Sequence, residues 1–347
     1  MSNIAEKLTW QRITLNLRNP FRISYGTSET REAYWIRLKD DVGWGEGTIP
    51  PYYGVDIKDM EAVWEKAANN PMPFPDDPAK ISTWIGEGPA PARCALDLAL
   101  HDRIAQAEKV PLFKLLGVPF PKPKASSFTI ALDSPSEMAK MAEQVKSYPI
   151  IKVKLGGDDQ DLERLANIRS VRSDASIWVD ANGGWSLDEA LDYLPDLARI
   201  RIDMLEQPLD KNNIPGMGEL QSKTRIPIVA DESVQSIKHI DDLAAAGVEG
   251  VNIKLMKVGG LAPALEMIHH SRALGLKVML GCMIETAIGT TAMAHLMGLA
   301  DWLDLDASAL ITNDPFEGMT LDNRFMVRLP EKSGIGVMMK SSELPAR

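Results

Sequence analysis

The sequence predicts an α/β protein in which a parallel barrel of repeated βα units follows a smaller α+β domain. Two observations carry this expectation. Near the start, apolar and polar residues alternate over short stretches, the mark of half-buried antiparallel strands. From Ser127 onward, short apolar runs recur roughly every 25 residues with a helical pattern between each pair, which is the rhythm of βα units.

Taken in order, Leu8-Thr9-Trp10-Gln11-Arg12-Ile13-Thr14-Leu15 and Ala33-Tyr34-Trp35-Ile36-Arg37-Leu38 alternate and predict a meander that ends near Gly47. Residues 19–31 contain Pro20, Gly26 and several hydroxyl groups and are expected to form a mobile flap rather than a tight turn, with Tyr25 as a candidate substrate contact. A helix is predicted over 91–107, with Ala95, Leu96, Leu98, Ala99 and Ile104 as its apolar stripe. The α+β domain is expected to cover residues 1–122 and the barrel residues 123–320, with the tail 321–347 packing back on the first domain. The eight barrel runs are 128–132, 150–155, 177–182, 204–208, 227–231, 251–255, 278–283 and 303–307. Between them, Ser134-Pro135-Ser136-Glu137 combines an N-cap, a first-turn proline and a capping-box Glu, and Ser186-Leu187-Asp188-Glu189 repeats the box.

At 347 residues the chain exceeds the usual size of one hydrophobic core. Its 45% hydrophobic and 25% charged residues are globular proportions, which argues against a collagen-like, coiled-coil or disordered chain. The net charge of -10 opposes a phosphate-backbone or membrane-surface binder, so a small molecule is the expected partner, with no nucleic acid and no membrane. Glu6, Lys7 and Arg12 interrupt what would be the apolar core of a secretory signal, and no apolar run approaches the ~18 residues of a membrane span. Cys94 and Cys282 are too few for a disulfide framework. A reducing cytoplasm and a homo-oligomeric state are the expectations.

In such barrels catalytic groups gather at the carboxyl ends of the strands. Here Lys152, Lys154, Asp180, Glu206, Asp231, Lys254, Glu285, Asp304 and Asp306 all stand at such ends. Asp180, Glu206 and Asp231 come from three consecutive runs and should converge on one side of the mouth. Like charges that close repel unless a cation sits among them, and an oxygen-only donor set favours Mg²⁺, with Mn²⁺ next. The alternative is that each carboxylate salt-bridges a neighbouring Lys or Arg. Lys152 and Lys154, two apart on one strand, leave by the same face. Their repulsion, with burial, should lower the pKa of one and leave a neutral amine able to take a proton. Lys254, four strands further on, faces them across the mouth, so two bases would flank a substrate carbon; the alternative is phosphate or carboxylate binding without proton transfer. Lys152 and Met283 are also candidate substrate contacts. Asp304 and Asp306 project from one face of the last run, apart from the triad, and suit a cationic group such as an α-ammonium; a charge-satisfied structural pair is the alternative. Lys257 is expected to be solvated, and His101, His269 and His270 to make helix or core contacts. Gly156-Gly157 and Gly259-Gly260 form no phosphate fingerprint, and no Gly-x-Ser-x-Gly elbow occurs.

Gly43-Trp44-Gly45-Glu46-Gly47, the helix from Ala95-Leu96-Asp97 through Asp102, Pro111-Leu112-Phe113-Lys114-Leu115-Leu116-Gly117, Lys152-x-Lys154, Asp180-x-Asn182, Glu206-Gln207-Pro208, Asp231-Glu232-Ser233 and Lys254 stand in a telling order and spacing. Over nearly the whole chain they resemble the muconate-lactonizing-enzyme subgroup of the enolase superfamily. The resemblance implies an N-terminal α+β capping domain over a (β/α)7β modified TIM barrel, Mg²⁺ on Asp180, Glu206 and Asp231, and Lys154 and Lys254 as opposed acid–base groups, a Lys base with Mg²⁺ being that superfamily's general pattern. Asp304-x-Asp306 further resembles the dipeptide epimerases, in which such a pair binds the substrate's amino terminus. That implies epimerization at the C-terminal residue of an L,L-dipeptide: Mg²⁺ holds the terminal carboxylate and stabilises an enediolate while one lysine removes the α-proton and the other returns one. N-acylamino acid racemases, muconate-type cycloisomerases and o-succinylbenzoate synthases share the barrel motifs and are the alternative. A metal-free Schiff-base aldolase and a barrel kept only for binding are further ones. One departure bears on substrate: alanyl-glutamate epimerases place a basic residue shortly after the segment matching Pro20-Phe21-Arg22, where this chain has Ser24-Tyr25-Gly26-Thr27. An apolar or small substrate side chain is therefore expected rather than glutamate, unless Arg22 or Arg31 takes that role.

Overall fold

The computed structural model describes residues 8–38, 42–49, 53–156 and 158–340; Glu6, Lys7, Gly157 and the last seven residues of the expected tail lie outside them. Strands β1 (Leu8–Ile23), β2 (Gly26–Leu38) and β3 (Trp44–Thr48) form an antiparallel sheet in that order. Helices α1 (Ile57–Ala68), α2 (Ile81–Ile85), α3 (Ala90–Ala107) and α4 (Leu112–Leu115) follow. The approach of α3 to β3 is set by small residues: a Cβ on Gly45 would lie 1.8 Å from the Ala95 carbonyl oxygen, and one on Gly47 would lie 2.7 Å from that of Pro91. Only a glycine strand lets a helix backbone come so close.

Residues 19–31 are not the loop expected from sequence. β1 and β2 stay paired to Ile23 opposite Gly26, so the segment is a hairpin whose turn is Ser24-Tyr25. The register shifts between Asn16 and Phe21, where Pro20 has no N–H to give to a ladder. The hairpin end is tied to the barrel. The Arg22 carbonyl accepts the Leu132 N–H at 3.0 Å, and the Ser24 hydroxyl donates to the Asn182 carbonyl at 3.1 Å.

The barrel runs β4 (Phe128–Ile130), α5 (Pro135–Gln144), β5 (Ile150–Lys154), α6 (Asp161–Val171), β6 (Ser176–Asp180), α7 (Leu187–Ile200), β7 (Met204–Glu206), α8 (Ile214–Lys223) and β8 (Ile228–Ala230). It continues with α9 (Ile237–Ala246), β9 (Gly250–Ile253), α10 (Leu255–Val258), α11 (Leu261–Ala273), β10 (Lys277–Gly281), α12 (Ala287–Ala294), β11 (Trp302–Asp304) and α13 (Ala307–Leu310). β4 to β11 are parallel and pair in sequence order. Between the two outer strands, the Ser127 N–H donates to the Leu303 carbonyl at 3.1 Å, and the Leu305 N–H to the Ser126 hydroxyl at 2.8 Å. The strands stop one to three residues short of the predicted runs because the chain turns out of the ladder at the mouth; Asn182 and Gln207 there are left-handed, with φ of 44° and 35°. Ser186 makes its full capping box. Ser134 accepts the Glu137 N–H, but its own N–H goes to Asp133 rather than Glu137, so that box is half formed.

Trp178, Met204, Val229 and Met279 form an apolar cluster inside the barrel. The first three precede Asp180, Glu206 and Asp231 by two residues each, so the strand period puts the carboxylates on the same inward face, one layer above this floor. The tail adds β12 (Phe316–Glu317), β13 (Thr320–Leu321), β14 (Val327–Arg328) and β15 (Met338–Met339). It meets α3 where the Ile335 N–H donates to Asp102 at 2.7 Å. Among the described residues no helix is long and apolar enough to cross a membrane.

Candidate active site

Asp180 ends β6, Glu206 ends β7 and Asp231 directly follows β8. One oxygen from each lies within 4.8 Å of the others, and all three side chains are buried. Backbone and amide groups fix them. Asp180 accepts the Asn182 N–H at 3.0 Å, Glu206 accepts the Asn252 amide at 2.9 Å, and the Gln207 side chain accepts the Asp231 N–H at 2.8 Å. Glu206 Oε2 faces the Lys152 ammonium in an ion pair at 2.8 Å. Asn182 Oδ1, Glu232 Oε2 and Asn252 Oδ1 are buried acceptors without a donor among the described residues. Such oxygens are costly to leave unpaired, and an all-oxygen set of this kind fits a hard divalent cation.

β5 points Lys152 and Lys154 inward together, as their spacing required. Lys154 Nζ lies 2.6 Å from Asp180 Oδ2, and Lys152 Nζ lies within 3.0 Å of Asp180, Glu206 and Asp304 at once. The neutral amine expected from repulsion in this pair is therefore not Lys152. Burial alone would lower its pKa, but Asp304, Glu206 and Asp180 outweigh burial and hold it well above the ordinary lysine value. Lys254, just past β9, contacts Asp231 Oδ2 at 2.8 Å, and Asp231 likewise holds its pKa up against burial. Asp180 is kept down at about 2, against its burial, by Lys154 and Lys152. Glu206 is pushed up to about 8 by burial and by the neighbouring Asp180. Lys257 corrects another expectation: it is buried, and its ammonium donates to Asp231 Oδ1, to the Asp231 carbonyl at 2.6 Å and to the Asn252 carbonyl at 2.9 Å. The one-turn helix α10 folds it back beneath the β8 and β9 ends instead of out to water.

Lys152, Lys154, Lys254, Met283, Asp304 and Asp306 line one cavity, and Phe21, Arg31, Thr129, Cys282, Ile284 and Leu310 complete it. The triad carboxylates are not in this lining, but each of the three lysines contacts one of them. Tyr25 does not line this cavity; its phenol oxygen approaches Gly183, 3.4 Å from where a Cβ would stand, and burial and the carboxylate of Glu232 raise its pKa. Asp304 is not apart from the triad as expected, because Lys152 bridges it to Asp180 and Glu206: Asp304 accepts from Lys152 at 2.8 Å and from the Ser127 hydroxyl at 2.6 Å. Asp306 accepts the Thr129 N–H at 2.6 Å and is pushed up to about 6 by burial and by Asp304. The supporting residues Asn252, Ser127 and Thr129 were not singled out from the sequence, and Lys257 was misjudged. Asn252 alone carried a signal, since it precedes Lys254 by two and so shares its face.

The family model described as enolase C-terminal domain-like matches residues 137–343. An L-Ala-D/L-Glu epimerase of Bacteroides thetaiotaomicron is 34% identical over 96% of this chain and 88% of its own length. An L-Ala-D/L-amino acid epimerase of Maribacter sp. is 33% identical over 96% and 99%. Among solved structures, a dipeptide epimerase of Cytophaga hutchinsonii complexed with Mg and the dipeptide D-Ala-L-Val superposes with a TM-score of 0.90 at 27% identity, covering 97% of this chain and 96% of that one.

Proposed function

The chain belongs to the enolase C-terminal domain-like family, and from that membership we propose that it is a Mg²⁺-dependent dipeptide epimerase acting at the α-carbon of the substrate's C-terminal residue. The observation that carries the reading is one buried site that combines three converging carboxylates, lysines from two well-separated strands and a carboxylate not committed to any ammonium. Asp180, Glu206 and Asp231 would hold Mg²⁺, which when bound supplies a Lewis acid for the substrate carboxylate and for the charge that grows on it as the α-proton leaves.

The remaining work falls to the chain's own groups. Lys154 enters the cavity from the second barrel strand and Lys254 from the end of the sixth, so one can remove the proton from one face and the other return a proton to the opposite face. Lys152 braces the triad against Asp304 and contributes positive charge where the substrate carboxylate is seated. Because Asp304 is taken by Lys152 and Ser127, recognition of the α-ammonium falls to Asp306. An N-acylated amino acid brings no such cation, which favours a free dipeptide. Met283 lines the same cavity, and Tyr25, in the hairpin turn outside its lining, is proposed as a further substrate contact. The reading includes a cap of residues 1–122 with the tail 321–347 over a barrel of 123–320, and a cytoplasmic homo-oligomer with no nucleic-acid partner.

Glu206→Gln tests the metal assignment by removing one of the three ligand charges, together with the 2.8 Å ion pair that Glu206 makes with Lys152, while Lys152 keeps Asp180 and Asp304. Calorimetric titration with Mg²⁺ should show affinity falling by at least about 100-fold, the upper range for loss of a mere supporting group. Unchanged Mg²⁺ binding contradicts the assignment.

A further inference from the structure

The catalytic cavity has a neighbour. Phe21, Thr129 and Leu310 line both it and an adjoining cavity, whose remaining lining includes Leu17, Ala131 and Met141. The local sequence makes this space. β1 loses register with β2 between Asn16 and Phe21, β4 ends at Ile130, and α13 is a single turn ending at Leu310, so three segments part around a volume bounded mainly by carbon. Thr129 fixes its place relative to the reaction, because its N–H donates to Asp306 at 2.6 Å. A substrate whose ammonium rests on Asp306 therefore has its N-terminal α-carbon beside Thr129, with the shared wall next to it.

We propose that the second cavity receives the side chain of the substrate's N-terminal residue, and that the enzyme prefers dipeptides beginning with a large aliphatic residue such as Leu or Met over those beginning with Ala or a basic residue. This rests on the dipeptide reading above and adds the class of its first residue. Apolar walls gain from burying methylene groups and offer nothing to a charge. Arg18 stands at the edge of the cavity, held by its Nε and one terminal nitrogen on the carbonyls of Ala309 and Ile311, each at 3.2 Å, and its positive charge opposes a basic side chain there.

The test measures kcat/KM with Mg²⁺ for L-Ala-L-Ala, L-Leu-L-Ala, L-Met-L-Ala and L-Lys-L-Ala. The wild type should favour the Leu and Met substrates over L-Ala-L-Ala by at least about tenfold, the usual worth of added methylenes in an apolar pocket, with L-Lys-L-Ala below all three. Ala131 lines the second cavity and not the first, so Ala131→Phe should bring the Leu-to-Ala ratio down to about one whatever its absolute rates. A wild-type ratio near one overturns the subsite while leaving the dipeptide reading intact, and it needs no variant that could misfold. A preference that survives in folded Ala131→Phe also overturns the subsite. No turnover of any of the four overturns both.

Discussion

His295 shows how closely a single side chain can be constrained here. It is buried, its Nδ1 accepts the Phe113 N–H at 3.2 Å, and its Nε2 donates to the Ile335 carbonyl at 3.0 Å. Only the neutral ring can do both, and burial lowers its pKa from 6.5 to about 4. A histidine whose folded pKa lies below its unfolded one lends stability that is fully present above about 6.5 and is lost as the pH falls toward 4. The unfolding free energy of the wild type minus that of His295→Gln, from urea melts, should therefore shrink by roughly 3 kcal/mol between pH 7.5 and pH 4. A difference that stays constant with pH contradicts the assignment. The two lysines proposed as acid–base groups make a second residue-scale prediction. With each serving one face of the substrate carbon, as proposed, Lys154→Ala and Lys254→Ala should each abolish net epimerization while sparing solvent exchange from opposite epimers. Full exchange from both epimers in either variant rules out the opposed pair.

At the scale of elements, the closest fit is between β3 and α3. Gly45→Ala would set a methyl group 1.8 Å from the Ala95 carbonyl oxygen, so helix and strand must separate, at a cost of about 3 kcal/mol. Gly54→Ala, whose Cβ would meet nothing within 4 Å, should cost only the left-handed backbone penalty of about 1–2 kcal/mol. Equal denaturation midpoints for the two variants contradict this packing. The parallel strands were legible because strands covered on both faces read as continuous apolar runs, and Lys152 and Lys154 because a period of two fixes a shared face. What was not legible depended on partners distant in sequence. Pro20 and Gly26 look like loop residues until β2 is seen to pair past them, Lys257 looks solvated until α10 turns it under Asp231, and the high pKa of Lys152 comes from carboxylates on three other strands. Polar strand ends also lengthened the predicted runs, since a residue that turns out of the ladder keeps the pattern of one within it.

Across the whole molecule, carboxylates join the N-terminal unit to the barrel at helix starts. Glu46 of β3 accepts the N–H groups of Thr286 and Gly289 at the start of α12, and Asp97 of α3 accepts the Leu261 N–H at the start of α11 at 2.6 Å. Negative charge is favoured at such ends. The barrel thus supplies the proposed metal ligands and bases, while Phe21 and Arg31 of the hairpin strands reach the same cavity and bear on which substrate fits. The central claim is proton exchange at one carbon of a free dipeptide. The most direct test is incubation with Mg²⁺ in deuterated water against a set of L,L-dipeptides and their N-acetylated forms, followed by mass spectrometry. The account predicts a one-dalton gain at the C-terminal residue, faster for the free dipeptides than for their acetylated counterparts. No exchange in any dipeptide, or faster exchange in the acetylated forms, contradicts it.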